Sequence, residues 1–199
     1  MREGNVDLVS VGTHSNAAFN AGKTIFPDGV NRATVERDPV PRYVASAQGA
    51  YFTDVDGRRF LDLNNNFTTL IHGHAFAPVV EAVTRQMRDG ACFANPTTLE
   101  ISLGELIVAR VPMIDTIRFV STGTEAVMFA IKAARAFTGR HKIAKIEGSF
   151  HGAYDHAEVS QASTPENWGD PGEPAHIPNY KGTPPSVLDD VVEIGRAHV

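Results

Sequence analysis

From residue 78 onward the chain alternates between two hydrophobic periodicities. Val79, Val80 and Val83 follow Pro78, and Asp89-Gly90 closes the run, which predicts a helix over 78–88. Leu99, Leu103, Leu106 and Ile107 share one helical face over 98–111, with Pro112 beyond it. Ile117 to Val120, β-branched and aromatic, reads as a short buried strand. Val127, Ile131 and Ala134 then predict a helix from Thr124 to Thr138, stopped by Gly139. Lys142 to Ile146 reads as another strand. Helices alternating with buried strands predict an α/β architecture around a mostly parallel sheet.

The front of the chain has a different rhythm. Tyr43 to Ala47, Ala50 to Thr53 and Arg59 to Leu63 read as short strands separated by Gln48-Gly49 and by Asp54-Val55-Asp56-Gly57. Asp-Gly supplies the positive φ angles of a tight hairpin turn, so an antiparallel meander is expected here. Residues 1–22 read as a loosely held arm or a short helix, and residues 26–32 as a turn-rich loop. Asn64 to His74 is polar and irregular. The proline-rich stretch from Thr164 to Pro185 reads as a long loop without sheet.

With 199 residues, 42% hydrophobic and 21% charged, the composition is that of a globular protein. A net charge of −5 without any Lys/Arg run argues against a nucleic-acid groove. The single cysteine, Cys92, excludes a disulfide framework, is expected to be a small buried hydrophobe, and fits a reducing cytoplasm. No apolar run reaches the ~18 residues of a membrane span, so no membrane partner is expected.

Candidate chemistry concentrates at two places. Ser121-Thr122-Gly123-Thr124-Glu125 joins the expected strand to the helix after it. Such a join aims free backbone N–H groups and a helix dipole of roughly +0.5 charge at one spot, where Thr122 and Thr124 add hydroxyls and Gly123 permits close approach. The same residues also read as an ordinary N-cap. They form neither a Walker loop nor a G-x-G-x-x-G fingerprint. Glu147 to Gly152 follows the 142–146 strand; there Phe150 can stack on a flat ring and His151 can hydrogen-bond near it. Arg32 and Arg37 are candidate carboxylate grips. His72 and His74 lack further ligands at metal spacing, so loop hydrogen bonding is expected and no metal. Lys23, Lys132, Lys142, Lys145 and Lys181 read as solvated surface groups.

Taken in order, the motifs resemble the N-terminal part of class III pyridoxal-phosphate-dependent aminotransferases, nearest the glutamate-1-semialdehyde aminomutase-like branch. They are Phe26-Pro27-Asp28-Gly29-Val30-Asn31, Gly49-Ala50-Tyr51, Asp54 to Asp62, Gly73-His74, Arg118 to Ala126, Ala134 to Arg140 and Glu147 to Gly152. The resemblance implies fold type I, incomplete here, with pyridoxal 5'-phosphate as cofactor. Residues 1–75 would be the arm and meander of the small domain, and 76–192 the first part of the large cofactor-binding domain. Thr122, Gly123 and Thr124 would hold the cofactor phosphate, with Phe150 against the ring and His151 beside it. Arg32 and Phe67 would contact the substrate.

The resemblance also implies a cytoplasmic homodimer moving an amino group between an amino acid and a keto acid or semialdehyde. Asn31-Arg32-Ala33-Thr34-Val35 departs from the aminomutase pattern and favours an aminotransferase for α- or β-amino acids; the aminomutase is the alternative. From another class, a non-catalytic phosphate- or anion-binding α/β module also fits the 122–124 turn. The family's catalytic lysine and aspartate lie beyond residue 199, so no catalytic residue is expected here and the chain alone should be inactive. Glu193 to Val199 matches the translation of a common sequencing adapter and is expected to be a non-native tail.

Overall fold

The Asp56-Gly57 turn organises the front of the chain. In the computed structural model, which describes residues 10–32, 34–170 and 172–196, β1 (Val44–Gln48), β2 (Tyr51–Asp54) and β3 (Arg59–Leu61) form an antiparallel sheet in that order. The register pairs Gln48 with Tyr51 and Thr53 with Arg59. Gly57 takes φ +79°, the left-handed conformation the turn requires. Phe52 and Phe60 stack between neighbouring strands at 5.3 Å.

The same turn starts α1 (Thr13–Gly22). Gly12, at the N-cap, has no side chain to cap with. Asp56 does it from 42 residues away: one carboxylate oxygen accepts from His14 N at 2.8 Å, the other from Ser15 N at 3.1 Å and Ser15 Oγ at 2.9 Å. Desolvation opposes the charge on Asp56, yet these bonds outweigh it and hold the carboxyl at about 2. Buried Asp54 anchors the turn from below, accepting from Asp56 N at 3.0 Å, Arg58 N at 2.8 Å and Arg58 Nε at 3.0 Å. Its carboxyl is also held low, since the Arg58 bonds outweigh the desolvation. The arm expected over 1–22 is thus helical in its second half; residues 1–9 lie outside the described residues.

The meander, α1 and α2 (Ala77–Asp89) belong to the first of two units, Met1–Pro96; the second is Thr97–Val199. The second unit contains α3 (Thr98–Arg110), α4 (Gly123–Thr138), β4 (Ile143–Glu147), a two-residue antiparallel pair of β5 (Gly169–Asp170) with β6 (Glu173–Pro174), and β7 (Val191–Arg196). β4 and β7 run parallel, with Ile143 opposite Val191 and Lys145 opposite Glu193. Val159, Val187 and Val191 form the buried cluster beside this pair, with Ile143 and Leu188 packed on it.

Four expectations need correction. Ile117–Val120 is not a strand among the described residues: it has no neighbour to form a ladder with, and Ile117 and Phe119 are about 40% exposed. The 164–185 stretch is not free of sheet, because β5 and β6 pair within it. Cys92 is exposed. Lys145 is buried, because strand alternation sets it on the Ile143 side of β4.

The helices carry apolar stripes at their surface: Val79, Val83, Leu99, Leu103 and Leu106 are all exposed.

Candidate functional site

The start of α4 is both capped and open. Thr122 is extended at φ −143° and ψ 157°, and its Oγ1 accepts from Glu125 N at 3.1 Å. Glu125 returns the contact, its Oε2 accepting from Ser121 N at 2.8 Å and Thr122 N at 3.1 Å. That reciprocal capping box satisfies three amides of the turn. The next two, Gly123 N and Thr124 N, have no hydrogen-bond acceptor among the described residues. They lie at the positive end of a 16-residue helix.

The hydroxyls add to this. Thr124 Oγ1 accepts from Ala153 N at 3.1 Å, as Thr122 Oγ1 accepts from Glu125 N. Each oxygen therefore spends a lone pair on a backbone amide and keeps its own proton to donate. A Cβ built on Gly123 meets nothing within 4 Å outside its own helix. Two free amides, two free hydroxyl protons and the dipole surround open space, a donor set that fits a phosphate monoester dianion. The cap and the free donors are one structure.

Gly152 brings the second sequence-predicted segment to this turn. It has φ +90°, and a Cβ there would lie 2.6 Å from Thr124 Oγ1 and 2.8 Å from Thr124 Cα. Only glycine lets the 148–153 loop close on the helix start. Gly148 N donates to Ser160 O at 2.9 Å and fixes the other end of the loop. Phe150 is 68% exposed, its ring free to stack. His151 lines an apolar cleft of about 630 Å³ with Val127, Ile131, Ala134 and Ile146. Thr122, Gly123 and Thr124 thus share one turn, and Phe150 and His151 sit on a loop tied to Thr124.

Below this loop is a buried polar cluster that reading the sequence missed. Lys145 Nζ donates to Val159 O, and Lys145, Glu147 and Glu193, which act on one another electrostatically, are all buried. Burial pushes the Lys145 ammonium pKa down, against the pull of Glu193 and Glu147. Burial likewise raises the Glu193 carboxyl, with Lys145 opposing. The alternation of Ile143, Lys145 and Glu147 along β4 was the available signal.

In the first unit, the two sequence-predicted substrate residues meet. The Arg32 guanidinium lies over the Phe67 ring, 4.6 Å from its centroid, and its Nη1 donates to Asn66 Oδ1 at 3.1 Å. Phe67 belongs to a run of left-handed residues: Asn65, Asn66, Phe67 and Thr68 have φ of 49°, 49°, 56° and 63°. Asp62 holds this turn, its Oδ1 accepting from Asn64 N at 3.0 Å and Asn65 N at 2.9 Å. Its other oxygen meets His74 Nε2 at 2.6 Å; that bond, then the one from Asn65 N, holds the Asp62 carboxyl below the usual range.

His72 stacks on Phe76 at 4.5 Å, and no metal-ligating cluster occurs among the described residues. Arg37, the other candidate grip, donates to Val35 O at 2.8 Å and Asp28 O at 3.3 Å. Its guanidinium is engaged by backbone, and the candidate role falls to Arg32.

Known proteins resemble this chain along most of its length. The aminotransferase class-III family profile matches residues 33–185. A glutamate-1-semialdehyde 2,1-aminomutase of Methanocella arvoryzae is 39% identical over 181 residues, 91% of this chain and 41% of the relative. The crystal structure of an omega-transaminase from Sphaerobacter thermophilus superposes with a TM-score of 0.87 at 48% identity, over 92% of this chain and 42% of that one. A transaminase solved with pyridoxal phosphate bound gives a TM-score of 0.84 at 41% identity, over 94% and 42%. The chain spans about two fifths of the length of these relatives. The expected fold, the opening part of a fold-type I architecture with meander, helices and parallel pairing, is borne out by these superpositions.

Proposed function

The chain belongs to the class-III aminotransferase family, and we propose that it is the part of a pyridoxal-phosphate-dependent aminotransferase that grips the cofactor phosphate and the substrate carboxylate. The observation that carries the reading is the start of α4, where Gly123 N, Thr124 N and the two threonine hydroxyls have donors to spare around open space. Thr122, Gly123 and Thr124 bind the phosphate. Phe150 covers a face of the pyridine ring, and His151 borders it. Bound there, the cofactor supplies an electron sink for amino-group transfer. This chain's residues contribute anchoring and orientation; they provide no catalytic lysine.

Arg32, backed by Phe67, takes the substrate carboxylate, which makes the substrates a carboxylate-bearing amine and a keto acid or semialdehyde. The 48% identity to an omega-transaminase favours transfer between two molecules. The 39% identity to an aminomutase supports the second reading, isomerisation of glutamate-1-semialdehyde. A cytoplasmic homodimer, residues 1–75 and 76–192 as parts of two domains, and a non-native 193–199 complete the proposal.

Two measurements test it. Pyridoxamine phosphate should bind this chain while pyridoxamine does not; equal binding of both would remove the phosphate cradle. The protein translated from the complete reading frame should move amino groups from carboxylate-bearing amines to keto acids. Conversion of glutamate-1-semialdehyde without an acceptor would replace the transaminase by the aminomutase, and neither activity would leave the anion-binding module.

A further inference from the structure

Arg32 is exposed, yet its guanidinium is fixed in two ways. The Phe67 ring centroid lies 4.6 Å from the guanidinium Cζ, and Asn66 Oδ1 takes one N–H of Nη1 at 3.1 Å. A guanidinium has five N–H donors, so four remain without an acceptor among the described residues, together with the whole positive charge. The polarity of the Asn66 amide is settled by its neighbour. Thr69 Oγ1 donates its proton to Asn66 O at 2.9 Å and can only accept from Asn66 Nδ2, also at 2.9 Å. The carbonyl end therefore faces Arg32.

The backbone makes this possible. Asn66 sits at φ 49° and ψ 53°, a region asparagine tolerates better than most residues. Asn64 Oδ1 accepts from Phe67 N at 2.9 Å, and Asp62 holds the amides before it, so the acceptor and the ring are presented by one hydrogen-bonded turn. A carboxylate at position 66 would also accept from Arg32, but it would cancel the charge. A neutral amide orients without neutralising.

We propose that Asn66 is a positioning residue that aims Arg32 and, by staying uncharged, makes the site selective for carboxylate-bearing over uncharged amines; this rests on Arg32 being the substrate-carboxylate grip. The test is a titration of the ¹⁵N-labelled chain with propionate and, as the uncharged control, propionamide, following the Arg32 Nε–Hε and Phe67 amide signals. Propionate shifts both signals and propionamide neither. Asn66→Asp weakens propionate binding about two- to fivefold, the range of an exposed ion pair. Asn66→Gly keeps the left-handed backbone, loses the acceptor, and weakens it to a similar extent, with the Arg32 signal moving toward that of a free side chain. Matched thermal melts establish that both variants are folded.

Arg32→Ala separates the two claims. If it abolishes the propionate response while both Asn66 variants bind like the parent, the positioning role is overturned and the carboxylate grip stands. If the parent shows no Arg32-dependent response, the grip fails, and the role of Asn66 with it.

Discussion

Replacing Gly123 by alanine should separate stability from ligand binding, with effects of opposite sign. Gly123 is the first residue of α4, and alanine there loses less backbone entropy on folding than glycine. A Cβ at this position meets nothing within 4 Å outside its own helix, so no clash offsets that gain. The variant should be as stable as the parent or more so, by at most about 0.5–1 kcal/mol. Every Cα–Cβ bond in a helix leans toward its N-terminus, so the new methyl projects into the space from which a phosphate would approach the amides. Losing one charge-assisted hydrogen bond costs about 1.5–3 kcal/mol, roughly a 10- to 150-fold weaker complex. Urea unfolding gives the first quantity, and calorimetric titration with pyridoxamine phosphate gives the second. A variant that binds the phosphate ester as tightly as the parent, or that unfolds more easily, refutes the reasoning.

The remaining predictions follow from the scaffold. Gly152→Ala combines a left-handed φ with contacts of 2.6 and 2.8 Å, so it should break the Ala153–Thr124 bond and cost about 2–3 kcal/mol; faster hydrogen exchange at Ala153 reports it. Asp56→Ala should remove exchange protection at His14 and Ser15. In the parent, the contribution of Asp56 is complete above its ordinary pKa of 3.8 and is lost as pH falls through about 2; far-UV circular dichroism during an acid titration should follow α1, and its loss at higher pH would count against the capping role. Lys145→Met removes the positive charge that opposes the desolvation of Glu193 and should destabilise by about 1–3 kcal/mol at neutral pH. Burial already raises the Glu193 carboxyl, so the deficit should shrink as pH falls toward 4.5 and Glu193 takes up a proton. A deficit independent of pH would show that packing, not charge, is at stake.

Much of this architecture was legible because it is local. Asp56-Gly57 announced the meander, and the spacing of Val127, Ile131 and Ala134 announced α4, whose observed start at Gly123 lies one residue before the expected Thr124. The candidate site was legible where hydroxyls and glycine cluster at a helix start. What escaped depends on distant or absent neighbours. Ile117–Val120 has the composition of a strand, but composition does not supply a ladder partner. Lys145 reads as solvated until its pairing with β7 shows which face it occupies. The left-handed turn left a trace in the run Asn64-Asn65-Asn66, the residue type that best tolerates that conformation after glycine. Its hydrogen bond to Arg32 spans 34 residues and left none.

The cap on α1 bears on the order in which the first unit assembles. A ten-residue helix without its own cap is too short to persist in water. Asp56 becomes available to His14 and Ser15 only after the β2–β3 hairpin has closed, an event of roughly 1–10 μs. The first helix among the described residues is therefore a late structure. Mutations within α1 should speed unfolding and leave the folding rate nearly unchanged, whereas mutations in the Asp54–Arg58 turn should slow folding. The carboxylate that starts the helix also sets the time at which it can form.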